Sequence, residues 1–149
     1  MAMTAKTNTA VIGLGSMGYG IALSALKDGH KTYGFDVNPD QTSKFLSEGG
    51  APGALADVAK TLDVVIVVVM NAAQSESVLF GEHGIVPQLK SGAVVISCAT
   101  VPPDFARNME ARANEHNVLY LDAPISGGSV KAAQGKLSIM AAGTPEAFA

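Results

Sequence analysis

Residues 9–20 read TAVIGLGSMGYG and contain Gly13, Gly15 and Gly18 in the spacing GxGxxG. An apolar run precedes the glycines and an amphipathic stretch follows them, which predicts a strand, a tight turn and a helix. In such a turn the first glycine lets the chain reverse sharply, and the second lets backbone N–H groups approach a pyrophosphate that a Cβ would hold off. The third lets the helix pack close to the strand, so that the helix N-terminus faces the phosphates. The stretch therefore predicts a dinucleotide-binding turn, although an ordinary strand–helix turn has the same outline. Its candidate cofactor-binding residues are Gly13, Leu14, Gly15, Ser16, Met17 and Gly18.

Strands and helices alternate along the whole sequence. The predicted strands are residues 9–14, 31–36, 63–70, 93–99, 118–122 and 137–142. The predicted helices are residues 16–28, 38–46, 54–62, 71–80, 102–116 and 129–133. The third strand, DVVIVVVM, is too apolar for a half-exposed strand and predicts a central strand buried on both faces. The alternation predicts an α/β protein with a doubly wound, mostly parallel sheet, which is the Rossmann dinucleotide-binding fold.

The composition suits one cofactor-binding domain and excludes other classes of protein. The 149 residues are 48% hydrophobic and 15% charged, a balance typical of a sheet covered on both faces. A net charge of -3 gives no basic surface for nucleic acid or for an anionic membrane. The longest apolar run is too short to span a bilayer, and the N-terminus lacks the apolar core of a secretion signal, so we expect a cytoplasmic protein. We expect no metal site, because none of the histidines is spaced with a second ligand.

The two ends of the sequence differ from the rest. Residues 1–8 predict a flexible leader, and residues 9–149 form the predicted cofactor domain. Residues 143–149, GTPEAFA, begin a helix whose far end has no cap, which indicates a domain cut from a longer protein.

Cys98, the single cysteine, excludes an internal disulfide and lies in an apolar strand, so we expect a small buried hydrophobe rather than a reactive thiol.

Polar residues follow several predicted strands at the edge where parallel sheets bind their ligands. Asp36 follows the second strand, where a carboxylate accepts the ribose hydroxyls of NAD and repels the 2′-phosphate of NADP, so we favour NAD as the cofactor. Asp36 has an alternative role as a helix cap. Met70 and Asn71 follow the third strand and Thr100 the fourth; these are further candidate cofactor-binding residues. Asn71 also suits a helix N-cap, and Thr100 a turn.

The turn of Ser126, Gly127 and Gly128 is the candidate substrate site. Consecutive backbone N–H groups and one hydroxyl can bind an anion, and we expect the carboxylate of a small substrate to be the ligand. By itself the same tripeptide is often only a turn. No nucleophile elbow and no carboxylate pair accompanies it, so the sequence shows a cofactor site without a convincing catalytic residue.

Together these motifs resemble the β-hydroxyacid dehydrogenases, which include 3-hydroxyisobutyrate dehydrogenase, tartronate semialdehyde reductase and, more distantly, 6-phosphogluconate dehydrogenase. The resemblance covers residue 10 onward. It is carried by GLGSMG at residues 13–18, by Asp36, and by DAPISGG at residues 122–128 with Ala132 and Gly135 behind it. Within that family, NAAQ at residues 71–74 and LFGE at residues 79–82 resemble the L-threonate dehydrogenase branch. Many other members of the family have Leu-Pro where this chain has Met70-Asn71.

The resemblance implies hydride transfer between NAD and a small hydroxy acid, with a lysine as general acid and base. In the family this lysine lies beyond the point that corresponds to Ala149, so we expect no catalytic residue in this chain; Lys131 and Lys136 do not match its motif. The resemblance also implies a helical C-terminal domain, absent here, that closes the cleft and builds a homo-oligomer. We therefore expect an active enzyme as the full-length protein and an inactive chain alone.

Two other functions fit the same sequence features. One is a noncatalytic nucleotide-sensing or interaction module, in which the bound cofactor is a signal. The other is an imine or aldehyde reductase, which shares the glycine turn but does not need an anion site at Ser126.

Overall fold

The computed structural model describes residues 6–148, which form seven helices and eight strands. The strands are β1 (Asn8–Ile12), β2 (Lys31–Phe35), β3 (Val64–Val67), β4 (Val94–Ser97), β5 (Leu119–Asp122), β6 (Ile125–Ser126), β7 (Ser138–Ile139) and β8 (Ala142–Gly143). The α-helices are α1 (Ser16–Lys27), α2 (Pro39–Ser47), α3 (Leu55–Val58), α4 (Ala72–Phe80), α5 (Pro103–Asn114), α6 (Gly128–Gln134) and α7 (Pro145–Phe148). Two 3₁₀ turns, Ala59–Thr61 and Val86–Gln88, complete the described secondary structure.

Six strands form one sheet in the order β2-β1-β3-β4-β5-β8. The first five are parallel to their neighbours, and β8 pairs antiparallel with β5. The chain reverses its direction of travel across the sheet between β2 and β3, so the sheet has a switch point next to β1, where doubly wound folds bind their ligands. The predicted α/β fold with a mostly parallel sheet is therefore confirmed.

Both faces of the sheet are covered. On one face, a cluster that includes Val65, Val67 and Val95 packs against residues of α4 and α5. On the other face, Val11, Leu14 and Phe45 pack with residues of α1 and α2. The prediction that the DVVIVVVM segment lies between two covered faces is confirmed, because its side chains contribute to both clusters.

The third and last strands are shorter than expected. β3 ends at Val67, where its pairing with both β1 and β4 ends. The Val68 N–H still donates to the Ile12 backbone oxygen at 2.8 Å, but residues 68–70 continue beyond the paired register, so the apolar run is longer than the strand. The predicted strand at 137–142 is two separate pairs: β7 pairs with β6, and β8 pairs with β5. The chain passes from one sheet to another between them.

The described part of the chain begins inside the expected leader. β1 begins at Asn8, and before it the Thr7 backbone N–H donates to His30 Nδ1 at 3.1 Å. Residues 1–5, which make up most of that leader, and Ala149 lie outside the described residues. Cys98 is buried as expected, and burial raises the pKa of its thiol to about 12. No helix within residues 6–148 is both long and apolar enough to cross a membrane.

Candidate dinucleotide and substrate site

Two of the three glycines in the loop after β1 are required by the packing of the chain itself. Gly13 has a φ of +104°, and a Cβ on it would lie 2.1 Å from the backbone oxygen of Val68. A Cβ on Gly18 would lie 1.8 Å from the backbone oxygen of Gly13. Neither distance is compatible with a side chain, so these glycines let the loop turn sharply and let α1 pack against β1 and the end of β3.

Gly15 differs from its two neighbours in the motif. Its φ is -67°, which any residue adopts, and a Cβ on it would meet no heavy atom within 4 Å beyond its chain neighbours in residues 6–148. Gly15 is the N-cap of α1, and no side chain there makes a capping hydrogen bond. The fold therefore does not need a glycine at this position. The open space over Gly15 fits the close approach of a phosphate to the N-terminus of a helix.

Asp36 lies directly after β2 and is tied to the glycine loop. One carboxylate oxygen accepts a hydrogen bond from the Leu14 backbone N–H at 2.7 Å, and the other accepts from the Asn38 N–H at 2.8 Å. Each oxygen retains capacity for a further hydrogen bond. Asn38, not Asp36, is the N-cap of α2, because its side chain accepts from the Asp40 N–H at 3.0 Å. The capping alternative for Asp36 is therefore wrong.

Met70 and Asn71 follow β3 beside the glycine loop. The Asn71 side chain caps α4 by accepting from the Gln74 N–H at 2.9 Å, and the Gln74 side chain accepts from the Met70 N–H at 2.8 Å. The capping role weighed for Asn71 is thus present, and it leaves Met70 86% exposed at the sheet edge. Thr100 is also exposed, three residues beyond the end of β4.

The segment of Ser126, Gly127 and Gly128 is more ordered than the simple turn that we expected. Ser126 belongs to β6 and pairs with Ser138, and this short strand was not predicted because two residues carry no periodic signal. Gly127 and Gly128 have φ values of +135° and +77°, which favour glycine. All three residues are exposed, so their polar groups are open to a ligand.

Sequence reasoning missed two buried polar groups under α5. The Tyr120 hydroxyl and one Asp122 carboxylate oxygen are buried and have no hydrogen-bond partner within residues 6–148. They line a cavity of about 200 Å³ between α5 and β8. Burial raises the pKa of both side chains. The DAP sequence was the available signal, but the sequence does not show that Asp122 points under α5.

No group of three metal-ligating side chains occurs in the described part of the chain. Lys131 and Lys136, the two lysines nearest to the Ser126 segment in sequence, are both exposed. Among the described residues, the arrangement therefore combines a helix N-terminus with open space over Gly15, a carboxylate and an exposed Ser-Gly-Gly segment.

Comparison with known proteins identifies the family of the chain. Residues 8–149 match the family described as the NAD binding domain of 6-phosphogluconate dehydrogenase, and the chain belongs to that family. It is an NAD(P)-binding domain of the β-hydroxyacid dehydrogenase group. The resemblance stated from the GLGSMG and DAPISGG motifs is thereby confirmed.

Curated relatives include two named L-threonate dehydrogenase. The protein from Cupriavidus necator is 43% identical over 142 residues, which cover 95% of this chain and 48% of that protein. The protein from Escherichia coli K12 is 42% identical over 141 residues, or 93% of this chain and 46% of that protein. This chain spans about half the length of these relatives.

Solved structures show the same fold. The structure titled 3-hydroxyisobutyrate dehydrogenase from Salmonella typhimurium superposes with a TM-score of 0.89 at 40% identity, covering 95% of this chain and 50% of that one. An imine reductase from Myxococcus stipitatus, in complex with NAD+, has a TM-score of 0.85 at 23% identity and covers 97% of this chain and 49% of that one. At that identity the likeness to the imine reductase shows the fold alone.

Proposed function

We propose that this chain is the cofactor-binding part of an NAD-dependent dehydrogenase that acts on a small hydroxy acid, with L-threonate as the leading substrate. The observation that supports the cofactor site best is the open space over Gly15. Neither φ nor packing requires a glycine there, whereas a phosphate held against the helix N-terminus does. The relatives named L-threonate dehydrogenase support the choice of substrate.

The described residues hold the dinucleotide at three places. The backbone of residues 13–18 and the N-terminus of α1 bind the pyrophosphate. Asp36 accepts hydrogen bonds from the adenosine ribose while its bond to the Leu14 N–H keeps it against the loop. Met70, Asn71 and Thr100, at the ends of β3 and β4, contact the nicotinamide half. When bound, the nicotinamide supplies the acceptor for a hydride.

Asp36 favours NAD over NADP. Its carboxylate would lie against the 2′-phosphate of NADP, and the repulsion between two anions adds to the loss of the ribose hydrogen bonds. The next residues, Val37, Asn38 and Pro39, carry no positive charge. The second carboxylate oxygen is held by the Asn38 N–H, which fixes the acid in the orientation that suits a diol.

Ser126, Gly127 and Gly128 bind the carboxylate of the substrate. The Ser126 hydroxyl and the adjacent backbone N–H groups donate to it, and Gly127 and Gly128 have no Cβ that would hinder its approach. The pairing of Ser126 with Ser138 limits the motion of this segment before the substrate binds. This binding fixes the position of the substrate relative to the cofactor.

Steady-state kinetics of the full-length protein tests the proposal. We expect NAD-dependent oxidation of L-threonate with a higher kcat/KM than for 3-hydroxyisobutyrate. Changing Ser126→Ala removes one hydrogen bond to a charged group, about 1.5–3 kcal/mol, so the KM for L-threonate should rise at least about tenfold. Ser47→Ala, an exposed serine on α2, is the matched control. An unchanged KM in Ser126→Ala would contradict the carboxylate site, and no turnover of either acid would contradict the substrate class.

A further inference from the structure

The short helix that follows the Ser-Gly-Gly segment is held to the domain chiefly by its contact with α1. Of the seven residues of α6, only Ala132 is buried. Residues 126–131 are all exposed. The β6–β7 pair joins this segment to Ser138 and Ile139, which follow α6 directly in the chain. The place of α6, and of Gly127 and Gly128 before it, therefore depends on what Ala132 contacts.

Ala132 packs against α1, the helix that begins at the glycine loop. A Cβ on Gly20 would lie 2.7 Å from the Ala132 Cβ and 2.7 Å from the Ala133 backbone nitrogen, so the two helices touch at this glycine. One turn further along α1, the Ser24 hydroxyl donates to the Ala132 backbone oxygen at 2.5 Å and lies 3.2 Å from that of Ala133. These carbonyls belong to the last turn of α6, and that of Ala132 also accepts from the Gly135 backbone N–H at 3.2 Å.

Gly20 and Ser24, one turn apart on α1, both contact Ala132 and Ala133. Beyond the Gly20–Ala132 contact, the C-terminal ends of the two helices line one shared cleft. Its lining residues are Ser24, Lys27, Asp28, Ala133, Gln134 and Gly135. Gly20 lies four residues after Ser16, and Ala132 lies four residues after Gly128, which is about 6 Å of helix in each case. Gly128 therefore lies about one helical turn from the Ala132 contact, so a shift of that contact is passed to the Ser126–Gly128 segment through one rigid turn.

We propose that Gly20 and Ser24 are positioning residues that set, through α6, the place of the Ser126–Gly128 segment relative to the glycine loop. This inference rests on the proposed function, in which the loop holds the dinucleotide and Ser126 the substrate carboxylate. Hydride transfer requires both ligands in one geometry, and a displacement of about 1 Å lowers the rate on the order of 100-fold. A Cβ on Gly20 forces a displacement of that size, because it brings two atoms to 2.7 Å.

Four variants of the full-length protein test this role: Gly20→Ala, Ser24→Ala, Ser126→Ala and the control Ser47→Ala. Amide hydrogen exchange without substrate reports whether residues 128–134 lose protection, and titration gives the Kd for NAD. We expect faster exchange in this segment for Gly20→Ala and Ser24→Ala, with the Kd for NAD within about threefold of wild type. We expect kcat/KM for the hydroxy acid to fall about 100-fold for Gly20→Ala and about tenfold for Ser24→Ala.

The outcomes separate the positioning role from the proposed function. The positioning role is overturned if exchange at residues 128–134 is unchanged, or if kcat/KM stays at wild type while Ser126→Ala raises KM. A kcat/KM unchanged in Ser126→Ala instead overturns the carboxylate site, and with it the functional part of this inference. Gly20→Ala combined with Ala132→Gly removes one of the two contacts at 2.7 Å, so it should regain part of the lost kcat/KM. If Gly20→Ala does not fold, Ser24→Ala alone decides.

Discussion

Gly15 and Gly18 belong to one motif, yet the same substitution should have opposite effects at the two positions. A Cβ on Gly15 meets nothing within 4 Å in residues 6–148 apart from its chain neighbours, and its φ of -67° is open to alanine. A Cβ on Gly18 would lie 1.8 Å from the Gly13 backbone oxygen. Gly15→Ala should therefore change ligand binding without changing the fold, and Gly18→Ala should change the fold.

The expected magnitudes follow from these contacts. At Gly15, alanine lowers the backbone entropy of the unfolded chain, which stabilises the fold by about 0.4–1 kcal/mol. Alanine is also a poorer N-cap than glycine, which offsets this gain. The free energy of unfolding should therefore stay within about 1 kcal/mol of wild type. Blocking the approach of a phosphate costs about one hydrogen bond to a charged group, or 1.5–3 kcal/mol, which weakens NAD binding about 10- to 100-fold. At Gly18, α1 must move away from the loop, and we expect a loss of about 3 kcal/mol of stability.

Urea unfolding measures the free energy of unfolding, and calorimetric titration measures the Kd for NAD, for wild type and both variants. The reasoning is refuted if Gly15→Ala binds NAD as tightly as wild type, because the open space would then not hold the phosphates. It is equally refuted if Gly15→Ala unfolds and Gly18→Ala does not.

Three further predictions concern titratable groups. Cys98 should react with a thiol reagent at pH 8 only after unfolding, because burial raises its pKa to about 12; equal labelling rates in folded and unfolded protein would contradict this. A hydrogen bond from Lys90 lowers the pKa of Asp63. The ionised Asp63 carboxylate therefore stabilises the folded protein above a pH of about 4, and this contribution is lost as the pH falls. Asp63→Asn should then flatten the pH dependence of urea unfolding between pH 7 and 3. Burial raises the pKa of Asp122, so the folded protein disfavours the ionised carboxylate. Asp122→Asn should therefore have a larger free energy of unfolding than wild type at pH 7, and the difference should be gone at pH 3. A smaller free energy of unfolding in the variant at pH 7 would show that Asp122 is paired.

Much of the fold was predictable because its elements carry strong local signals. Glycines follow the ends of α1 and α2, and the apolar run of β3 predicts a central strand buried on both faces. The family resemblance was also predictable, because the GLGSMG and DAPISGG motifs occur at the ends of two strands of one predicted sheet.

The unpredicted features depend on contacts between distant residues. β3 stops at Val67 because its neighbours stop there, although the apolar sequence continues to Met70. The last predicted strand divides between β7 and β8 because its partners lie in two different sheets. The contact of Gly20 with Ala132 joins residues that are far apart in the chain, and a helical glycine gives no local sign of it.

The candidate site was predictable in composition but not in arrangement. The sequence predicted that Asp36 follows β2, and the structure adds that its carboxylate accepts the Leu14 N–H and so belongs to the glycine loop. Asn71 illustrates the converse, since its capping bond to the Gln74 N–H is present and a contact with the cofactor stays a prediction. Side-chain direction at the end of a strand depends on the neighbouring loops, and local sequence does not determine it.

The central claim is that the glycine loop and Asp36 together form an NAD site. Calorimetric titration of this chain and of the full-length protein with NAD and, separately, with NADP tests it most directly, with Asp36→Ala alongside wild type. We expect one NAD per chain, binding of NADP at least about tenfold weaker, and a loss of this preference in Asp36→Ala. Equal affinity for the two dinucleotides in wild type would contradict the role of Asp36, and no binding of either by the full-length protein would contradict the site itself.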